Sequence, residues 1–202
     1  ILVCITTGVV CIFLYQQNHT QQNKIETQGN LIAAQSEAII ALEQRNLMAL
    51  VATVLSAADI ELAQSSNRSL SQATIDRIAD LSHSLKPYRQ VTKDSIVSRE
   101  SSKERGQLLL SLAKMNINSA SFAKIKKMAT FEQADLRDAK LANMDLSGIN
   151  LSRANLEGAT LIESNLEYAN LEEANLKRAQ LSSSSLKKAK LKLINLDWAN
   201  LS

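Results

Sequence analysis

The chain is 202 residues long, enough for one medium domain or two small ones, and its net charge of +3 is too weak to indicate binding to nucleic acid or an anionic membrane surface. Apolar residues make up 45% of the chain but aromatic residues only 3%, so small and branched aliphatic side chains are expected to form its packing. The two cysteines, Cys4 and Cys11, lie near the beginning, which excludes a disulfide framework or a thiolate metal site from the remainder.

The first predicted element is an uncharged apolar run, residues 1–15, which is typical of a membrane anchor. About 20 apolar residues are needed to span a bilayer as a helix, so we expect residues upstream of Ile1 to complete a single-pass transmembrane helix. A secretory signal peptide is the main alternative, but no small-x-small cleavage site follows Tyr15. A buried core helix is the third interpretation. The predicted location is therefore the membrane, and the side on which the rest of the chain lies stays open.

Residues 16–30 are rich in Gln and Asn and predict a polar stalk, which precedes an α-helical region over residues 31–128. A long amphipathic helix is expected from about residue 31 to residue 63, because apolar residues recur there at steps of three and four. They are Leu47, Val51, Val54, Leu55, Ala58 and Leu62. Ile25, Ile32 and Ile39 are spaced by seven, as in a coiled coil, but over too few repeats to predict one.

Two shorter helices are expected after a polar break at residues 65–69. Ser71 is a suitable N-cap for the first of them, which must end before Pro87, and the second begins near Ser102. Their apolar stripes are Ile75, Ile78, Leu81 and Leu85 in the first, and Leu108, Leu109, Leu110, Leu112 and Met115 in the second. These stripes fit either a helical subdomain that packs on itself or a module for self-association or partner docking, and both interpretations stay open.

Residues 129–202 repeat with a period of five. One position holds Leu, or Phe in the first copy, fifteen times in succession: Phe131, Leu136, Leu141, Leu146, Leu151, Leu156, Leu161, Leu166, Leu171, Leu176, Leu181, Leu186, Leu191, Leu196 and Leu201. A period of five matches neither a helix nor a strand, so the chain must turn a corner in every repeat to keep these side chains on one side. The pattern predicts a β-solenoid whose structural core is formed by these fifteen residues.

The sequence Ala-Asn-Leu at 154–156, which recurs at three further places, resembles the A(D/N)LXX motif of the pentapeptide-repeat family. The resemblance implies a right-handed quadrilateral β-helix with four repeats per coil, the Leu pointing inward and a small residue beside it. With coils about 4.8 Å apart, the repeats would form just under four coils, and residues twenty apart would lie above one another. One outer column should then alternate in sign: Arg137, Glu157, Lys177 and Asp197.

The charges of the repeat region separate along its length. From residue 131 to 175 nine acids accompany three bases, whereas from residue 176 to 202 six bases accompany one acid. Some relatives in the pentapeptide-repeat family are uniformly acidic DNA mimics that bind and protect a type II topoisomerase, and the bipolar charge opposes that function and a nucleic-acid partner here. The sequence instead indicates a membrane-tethered scaffold that binds an unknown protein partner through a rigid rod. A self-assembling, membrane-anchored rod, hence a homo-oligomer, is the first alternative, and topoisomerase inhibition is the second.

No catalytic, cofactor-binding or metal-binding residue is predicted. His19 and His83 lack Cys, Asp or Glu at ligand spacing, and the hydroxyl cluster Ser182–Ser185 has no His within the repeat. The neighbouring acids Glu172 and Glu173 are expected on an outer corner, where water keeps their chemistry ordinary. The five glycines are scattered and form no phosphate-binding loop. We therefore expect a protein without enzymatic activity and without a cofactor.

Overall fold

The computed structural model describes residues 2–88, 91–92, 95–96 and 100–202, with side chains described for residues 15–88 and 100–202. The chain divides into two compact units, Ile1–Asn46 and Leu47–Ser202. Its described helices are α1 (Leu2–Gln64), α2 (Gln72–Ser84), α3 (Lys103–Lys114) and α4 (Ser119–Met128), and an antiparallel pair of short strands, β1 (Val91–Thr92) and β2 (Ser95–Ile96), lies between α2 and α3.

Helix α1 continues through the predicted anchor, the predicted stalk and the predicted amphipathic helix. The only proline of the chain, Pro87, lies far beyond the end of α1. Proline breaks a helix because its φ is fixed and it lacks a backbone N–H, so no proline interrupts α1. In the first unit every described side chain from Tyr15 to Glu43 is exposed. Ile1 and the anchor side chains before Tyr15 lie outside the described residues. By length and composition, Tyr15–Gln64 could cross a membrane, a criterion that core helices of soluble proteins and signal sequences also meet.

The second unit has one hydrophobic core that continues from its helices into the repeat region. Helix α1 contributes Val51, Ala58 and Leu62, which are buried. Leu108 of α3 and Ile125 of α4 belong to the same core and are 0% exposed. The stripe predicted for α2 is buried, and so are Leu108, Leu109 and Leu112 of the stripe predicted for α3, whereas Leu110 and Met115 are partly buried.

Polar side chains fix the starting points of the shorter helices. The Ser71 hydroxyl accepts a hydrogen bond from the Thr74 N–H at 3.3 Å, and the Ser102 hydroxyl accepts one from the Arg105 N–H at 3.1 Å. In both helices a side-chain oxygen thus satisfies an N–H that the first turn leaves free. Ser71 is the N-cap that the sequence predicts, and Ser102 lies where the sequence predicts that the next helix begins. The sequence does not separate α4, whose N-cap is Asn118, from the helical region before it, and it does not predict the β1–β2 hairpin.

The repeat region forms a solenoid with twenty residues per coil. Parallel backbone bridges join residues twenty apart, from Asp135 and Asn155 to Gln180 and Asn200. From Leu136 to Leu181 the backbone N–H of the inward Leu donates to the next coil, as from Leu136 to the carbonyl oxygen of Asn155 at 2.7 Å. These bridges are isolated, and no strand is assigned within residues 129–202, all of which are described. The predicted β-solenoid is therefore present as stacked single bridges instead of extended strands.

A tight turn makes each corner of the coil. The carbonyl oxygen of the inward Leu accepts a hydrogen bond from the N–H three residues later, as at Leu136 and Ala139 (3.1 Å). The residue before that N–H has a positive φ, which is 55° at Asp138. A turn with a positive φ at its third residue bends the chain sharply within four residues. One such turn in every five residues, repeated four times, closes a square coil.

The inward Leu position is buried along most of the solenoid. Eleven of the fifteen predicted core residues are 0 to 2% exposed: Phe131, Leu136, Leu141, Leu146, Leu151, Leu156, Leu161, Leu166, Leu171, Leu176 and Leu181. Leu186 and Leu196 are partly buried, and Leu191 and Leu201 are 37% and 56% exposed. None of these four donates its N–H to a further coil within the described residues, whereas the inward Leu residues from Leu136 to Leu181 do so. Each fully buried Leu contributes about 1.5–3 kcal/mol to the free energy of unfolding.

Helix α3 and the residue before it cover the first coil. Ser102 forms a parallel bridge with Ala134; its N–H donates to Gln133 at 2.8 Å and its carbonyl oxygen accepts from Asp135 at 2.9 Å. Gly106 approaches so closely that a Cβ atom on it would lie 2.0 Å from the carbonyl oxygen of Asp135. At Gln133–Asp135 Ser102 thus takes the place of a preceding coil, and the backbone edge of the first coil is paired there.

Candidate interaction surface

The outer corners of the solenoid have a backbone conformation that favours glycine. Fourteen corner residues have φ between 55° and 70°: Gln133, Asp138, Asn143, Gly148, Arg153, Gly158, Glu163, Tyr168, Glu173, Arg178, Ser183, Lys188, Leu193 and Trp198. Positive φ is least costly for Gly, Asn and Asp, and a bulky apolar residue in this region is an outlier. The corners also face water, so both the backbone and the solvent favour small or polar residues there.

Leu193 and Trp198 break this pattern on consecutive corners. Their side chains are 73% and 86% exposed, and their φ angles are 57° and 60°. Tyr168, on a corner one coil earlier, is 56% exposed. A large apolar side chain at such a corner has both an unfavourable φ and contact with water. Local departures of this kind are expected at functional sites, because a binding partner can offset their cost.

Lysine side chains accompany the exposed pair. Lys188, Lys190 and Lys192 lie on the same coil as Leu193 and are all exposed. The Lys188 Nζ lies 5.1 Å from the centre of the Tyr168 ring and donates to the Tyr168 hydroxyl at 3.1 Å. The Leu-Trp surface, as it is called below, is formed by the exposed pair with the two lysines nearest to it: Lys190, Lys192, Leu193 and Trp198. It combines an apolar centre with positive charge.

A groove of about 400 Å³ lies beside Leu193 on one side of the solenoid. Asn155, Asn175 and Asn195 line it, one from each of three successive coils. The Asn175 amide donates to the Asn155 Oδ1 at 3.0 Å, so the column is held together by its own side chains. The groove continues the Leu-Trp surface with regularly spaced amide groups.

The outer charges pair differently from the column predicted above. Arg137 bonds to Asp135, two residues earlier in the same coil, at 2.7 Å, and the hydrogen bond with Asp135 raises the pKa of Arg137. No ion pair joins Arg137 to its predicted neighbour Glu157 among the described residues, although the charge of Glu157 also raises the pKa of Arg137. Arg153 and Glu173, twenty residues apart, are joined at 3.2 Å. Exposed pairs of this kind contribute little to the free energy of unfolding.

A second concavity, of about 690 Å³, lies where α4 meets the first coils, and buried cations line it. Lys126 is 5% exposed and donates to the Asp145 carboxylate at 2.9 Å. Burial raises the pKa of Asp145, but hydrogen bonds, led by the one from Lys126, outweigh burial and lower it. Burial lowers the pKa of Arg105, which donates to the carbonyl oxygen of Glu132 at 2.7 Å. These cations hold the helices to the coils, so this concavity is a structural joint.

The serines and histidines considered for catalysis or metal binding do not form one site, and four of them make hydrogen bonds within the fold. The Ser184 hydroxyl donates to a backbone carbonyl at 2.7 Å, and the Ser185 hydroxyl donates to Glu167 at 3.0 Å. His83 contacts a backbone carbonyl at 3.1 Å, and His19 contacts a neighbouring Asn side chain on α1. Within the part of the chain that the structure describes, no group of three or more His, Cys, Asp or Glu could hold a metal ion.

The family model for pentapeptide repeats matches residues 129–167 and 164–202 with eight copies of the repeat. The chain therefore belongs to the pentapeptide-repeat proteins. Pentapeptide repeats imply a right-handed β-helix, in agreement with the parallel bridges between residues twenty apart. Proteins of this family are generally structural or interaction proteins rather than enzymes. No curated protein matches the chain.

Solved structures of pentapeptide-repeat proteins are similar in sequence over the repeats. A protein from the cyanobacterium Cyanothece 51142 is 37% identical over 37% of this chain and 51% of its own, with a TM-score of 0.36. A protein from Nostoc Pcc 7120 is 35% identical over 42% of this chain and 76% of its own, with a TM-score of 0.25. HetL from Nostoc sp. Strain PCC 7120, a protein involved in heterocyst differentiation regulation, is 39% identical over 35% of each chain, with a TM-score of 0.23.

This chain thus spans about half the length of the Cyanothece protein. Family membership follows from the repeat sequence, and the low TM-scores add nothing to it.

Proposed function

We propose that this chain is a non-enzymatic, membrane-tethered scaffold that binds a protein partner through its pentapeptide-repeat solenoid. Family membership supports the scaffold function, because a stiff stack of coils without catalytic groups can act only by binding. The uncharged run at residues 1–15 supports the tether. The Leu-Trp surface supports a protein as the partner.

The observation that carries the proposal is the exposure of Leu193 and Trp198 on corners that favour polar residues. Burying an exposed Leu side chain against a partner stabilises the complex by about 1.5–3 kcal/mol, and Trp is one of the residues that most often anchor interfaces. Lys190 and Lys192 beside them favour a partner whose apolar pocket is bordered by acids, because opposite charges steer and orient the encounter.

Proximity labelling with the full-length protein tests the partner-binding function. The label is compared between wild type, a Leu193→Ser/Trp198→Ser variant and a control, Ser183→Ala, on another corner of the solenoid. All three positions are exposed, so the melting temperature should not change. We expect a set of labelled proteins that is kept in the control and lost in the double variant. Identical labelling in all three proteins would show that the Leu-Trp surface does not bind the partner.

The tether is tested separately by extraction of membranes at alkaline pH. A transmembrane helix keeps its protein in the membrane pellet, whereas a peripheral protein is released. We expect the full chain to remain in the pellet. A protein found entirely in the supernatant, or one from which residues 1–15 have been cleaved, would contradict the tether and favour the signal-peptide alternative.

A self-assembling rod is the second candidate function, and the charge separation along the repeat region favours it. Nine acids and three bases before residue 176 face six bases and one acid after it, so the two halves of neighbouring solenoids could attract. This attraction would weaken with salt. Sedimentation at low and high salt tests it: association that salt abolishes supports the rod, and a monomer at both salt concentrations contradicts it.

A further inference from the structure

Helix α1 carries an uncharged stripe with a seven-residue spacing. Ile25, Ile32 and Ile39 begin it, and Asn46, Thr53 and Ile60 continue the spacing to the end of the helix. With the intermediate positions three residues after each of the first five, eleven residues belong to the stripe: Ile25, Gln28, Ile32, Gln35, Ile39, Leu42, Asn46, Ala49, Thr53, Ser56 and Ile60. These are the a and d positions of a heptad repeat.

All eleven stripe residues are exposed. In the first unit the isoleucines at 25, 32 and 39 are 68%, 65% and 59% exposed, and Leu42 is 58% exposed. In the second unit Ile60 is 59% exposed, whereas Val51, Ala58 and Leu62, at heptad positions on the other side of the helix, are buried. The packing of α1 in the second unit therefore uses a different face of the helix and leaves the stripe uncovered.

The charged residues of this segment avoid the stripe. Between Ile25 and Ile60 they are Glu26, Glu37, Glu43, Arg45 and Asp59, and none of them occupies an a or d position. In proteins most of the stability of a helix comes from packing of an apolar face against another element. The exposed, uncharged stripe of α1 is therefore a candidate surface for packing against another element.

We propose that α1 associates with α1 of a second copy of this chain as a parallel, in-register two-stranded coiled coil along this stripe. An α-helix has 3.6 residues per turn, so a seven-residue spacing stays on one seam only when helices of the same spacing wind around each other. A second copy carries that spacing in the same register. The proposal concerns a surface other than the Leu-Trp surface and does not depend on the proposed scaffold function.

Asn46 favours the parallel, two-stranded arrangement. It occupies an a position, where it would meet the Asn46 of the second copy, and a single Asn at such a position specifies register and oligomer state at some cost in stability. The flanking g and e positions add no repulsion, because Arg45 would face Leu50 and Lys24 would face Gly29 across the seam. Gln28 and Gln35 make the seam weaker than an all-aliphatic one, so the association should depend on concentration.

Cysteine crosslinking of the full chain tests the geometry of the pair. In a background with Cys4→Ser and Cys11→Ser, Ile32→Cys and Ile39→Cys each place a thiol on the seam, and the matched control Glu37→Cys places one at the outer f position. We expect disulfide-linked dimers from both seam variants and few from the control. Equal crosslinking at all three positions would overturn the proposal, as would crosslinking of neither seam variant.

Sedimentation of the full chain in detergent, over a range of protein concentrations, tests the energetics. The variant Ile32→Asp/Ile39→Asp should raise the dissociation constant of the dimer at least about 100-fold, because it buries charges without partners. Both residues are exposed, so the melting of the repeat region should not change. A wild-type chain that stays monomeric at every concentration overturns the proposal. A dimer that persists in the double variant also overturns it, since another surface must then hold the two chains.

Discussion

The two repeats of this chain bury their apolar residues to opposite extents. The five-residue repeat of the second unit keeps its Leu side chains at 0 to 2% exposure from Leu136 to Leu181, whereas the seven-residue repeat leaves Ile25 at 68% and Ile32 at 65% in the first unit. Both repeats are regular and both are rich in aliphatic residues. Regular spacing of apolar residues therefore does not by itself decide how much of the repeat is buried.

The difference follows from the geometry of the two backbones. A chain that turns a corner in every repeat returns above itself after twenty residues, so each coil buries the apolar side chains of the next. A helix never returns to itself, so its stripe stays exposed until a second element covers it. The five-residue repeat thus buries its Leu side chains within one chain, whereas the seven-residue repeat leaves its stripe exposed, as the proposed coiled coil requires.

The largest expected effect comes from breaking the five-residue repeat at its centre. Leu166 is 0% exposed, and Leu166→Asp would place an unpaired carboxylate inside the coil stack. We expect a loss of at least about 3–5 kcal/mol from the free energy of unfolding, a large part of the total for a domain of this size. Thermal unfolding followed by circular dichroism, with amide exchange over residues 131–181, measures the loss.

Leu193→Asp is the matched control for this variant, since it makes the same change at a corner where the Leu side chain is 73% exposed. Asp tolerates the positive φ of that corner, so we expect an unchanged or slightly raised melting temperature. Equal destabilisation by the two substitutions would show that the inward assignment of the Leu series is wrong.

Much of this architecture could be predicted from the sequence, because a short period constrains the backbone directly. The five-residue spacing predicts the corner and the interior, and Ser71 predicts the start of α2 because a cap is a local interaction. The packing of α3 on the first coil and the choice of ion-pair partners could not be predicted from the sequence. The bridge from Ser102 to Ala134 and the bond of Arg137 to Asp135 depend on how elements meet and on which of several nearby acids a flexible side chain reaches.

The Leu-Trp surface had a signal in the sequence that the period of five alone does not show. Once the inward Leu is known, the residue two positions later is the corner, and Leu193 and Trp198 are the large aliphatic and indole side chains in that series. Recognising them as unusual requires the positive φ of the corner, which follows from the turn. The exposed stripe of α1 likewise becomes clear only when the opposite face is seen to be packed.

Two glycine substitutions, one in each unit, are expected to have effects of intermediate size. Gly106→Ala would bring a Cβ atom to 2.0 Å from the carbonyl oxygen of Asp135, so α3 must move away from the first coil. We expect a loss of about 1–3 kcal/mol in the unfolding of the second unit, measured by denaturant unfolding with amide exchange.

Gly29→Ala is the counterpart in the first unit, where nothing lies within 4 Å of the added Cβ atom. Replacing Gly by Ala inside a helix stabilises it by up to about 1 kcal/mol. We expect slower amide exchange around residue 29 and an unchanged second unit. If both substitutions slowed exchange at their sites, the close contact of Gly106 with the first coil would be refuted.

The smallest expected effect concerns a side chain of α1 that has a partner within its own unit. The Glu61 carboxylate accepts hydrogen bonds from the Thr74 hydroxyl, at 2.5 Å, and from the Ser71 N–H, and these bonds, led by that of Thr74, lower its pKa below 4.5. Because the pKa of Glu61 is lower in the folded state than in the unfolded state, its charged form stabilises the fold at pH values above the unfolded-state pKa. That stabilisation is lost as pH falls through the folded pKa.

Glu61→Gln should therefore reduce the free energy of unfolding by about 0.5–1 kcal/mol at pH 7, and the difference from wild type should disappear as the pH falls below 4.5. Denaturant unfolding at a series of pH values measures it. Glu43→Gln, at an exposed site on the same helix, should change stability at no pH, because its carboxylate is exposed in the first unit. If Glu61→Gln instead lost the same stability at pH 3 as at pH 7, the effect would come from packing, and the carboxylate would not fasten α2 to α1.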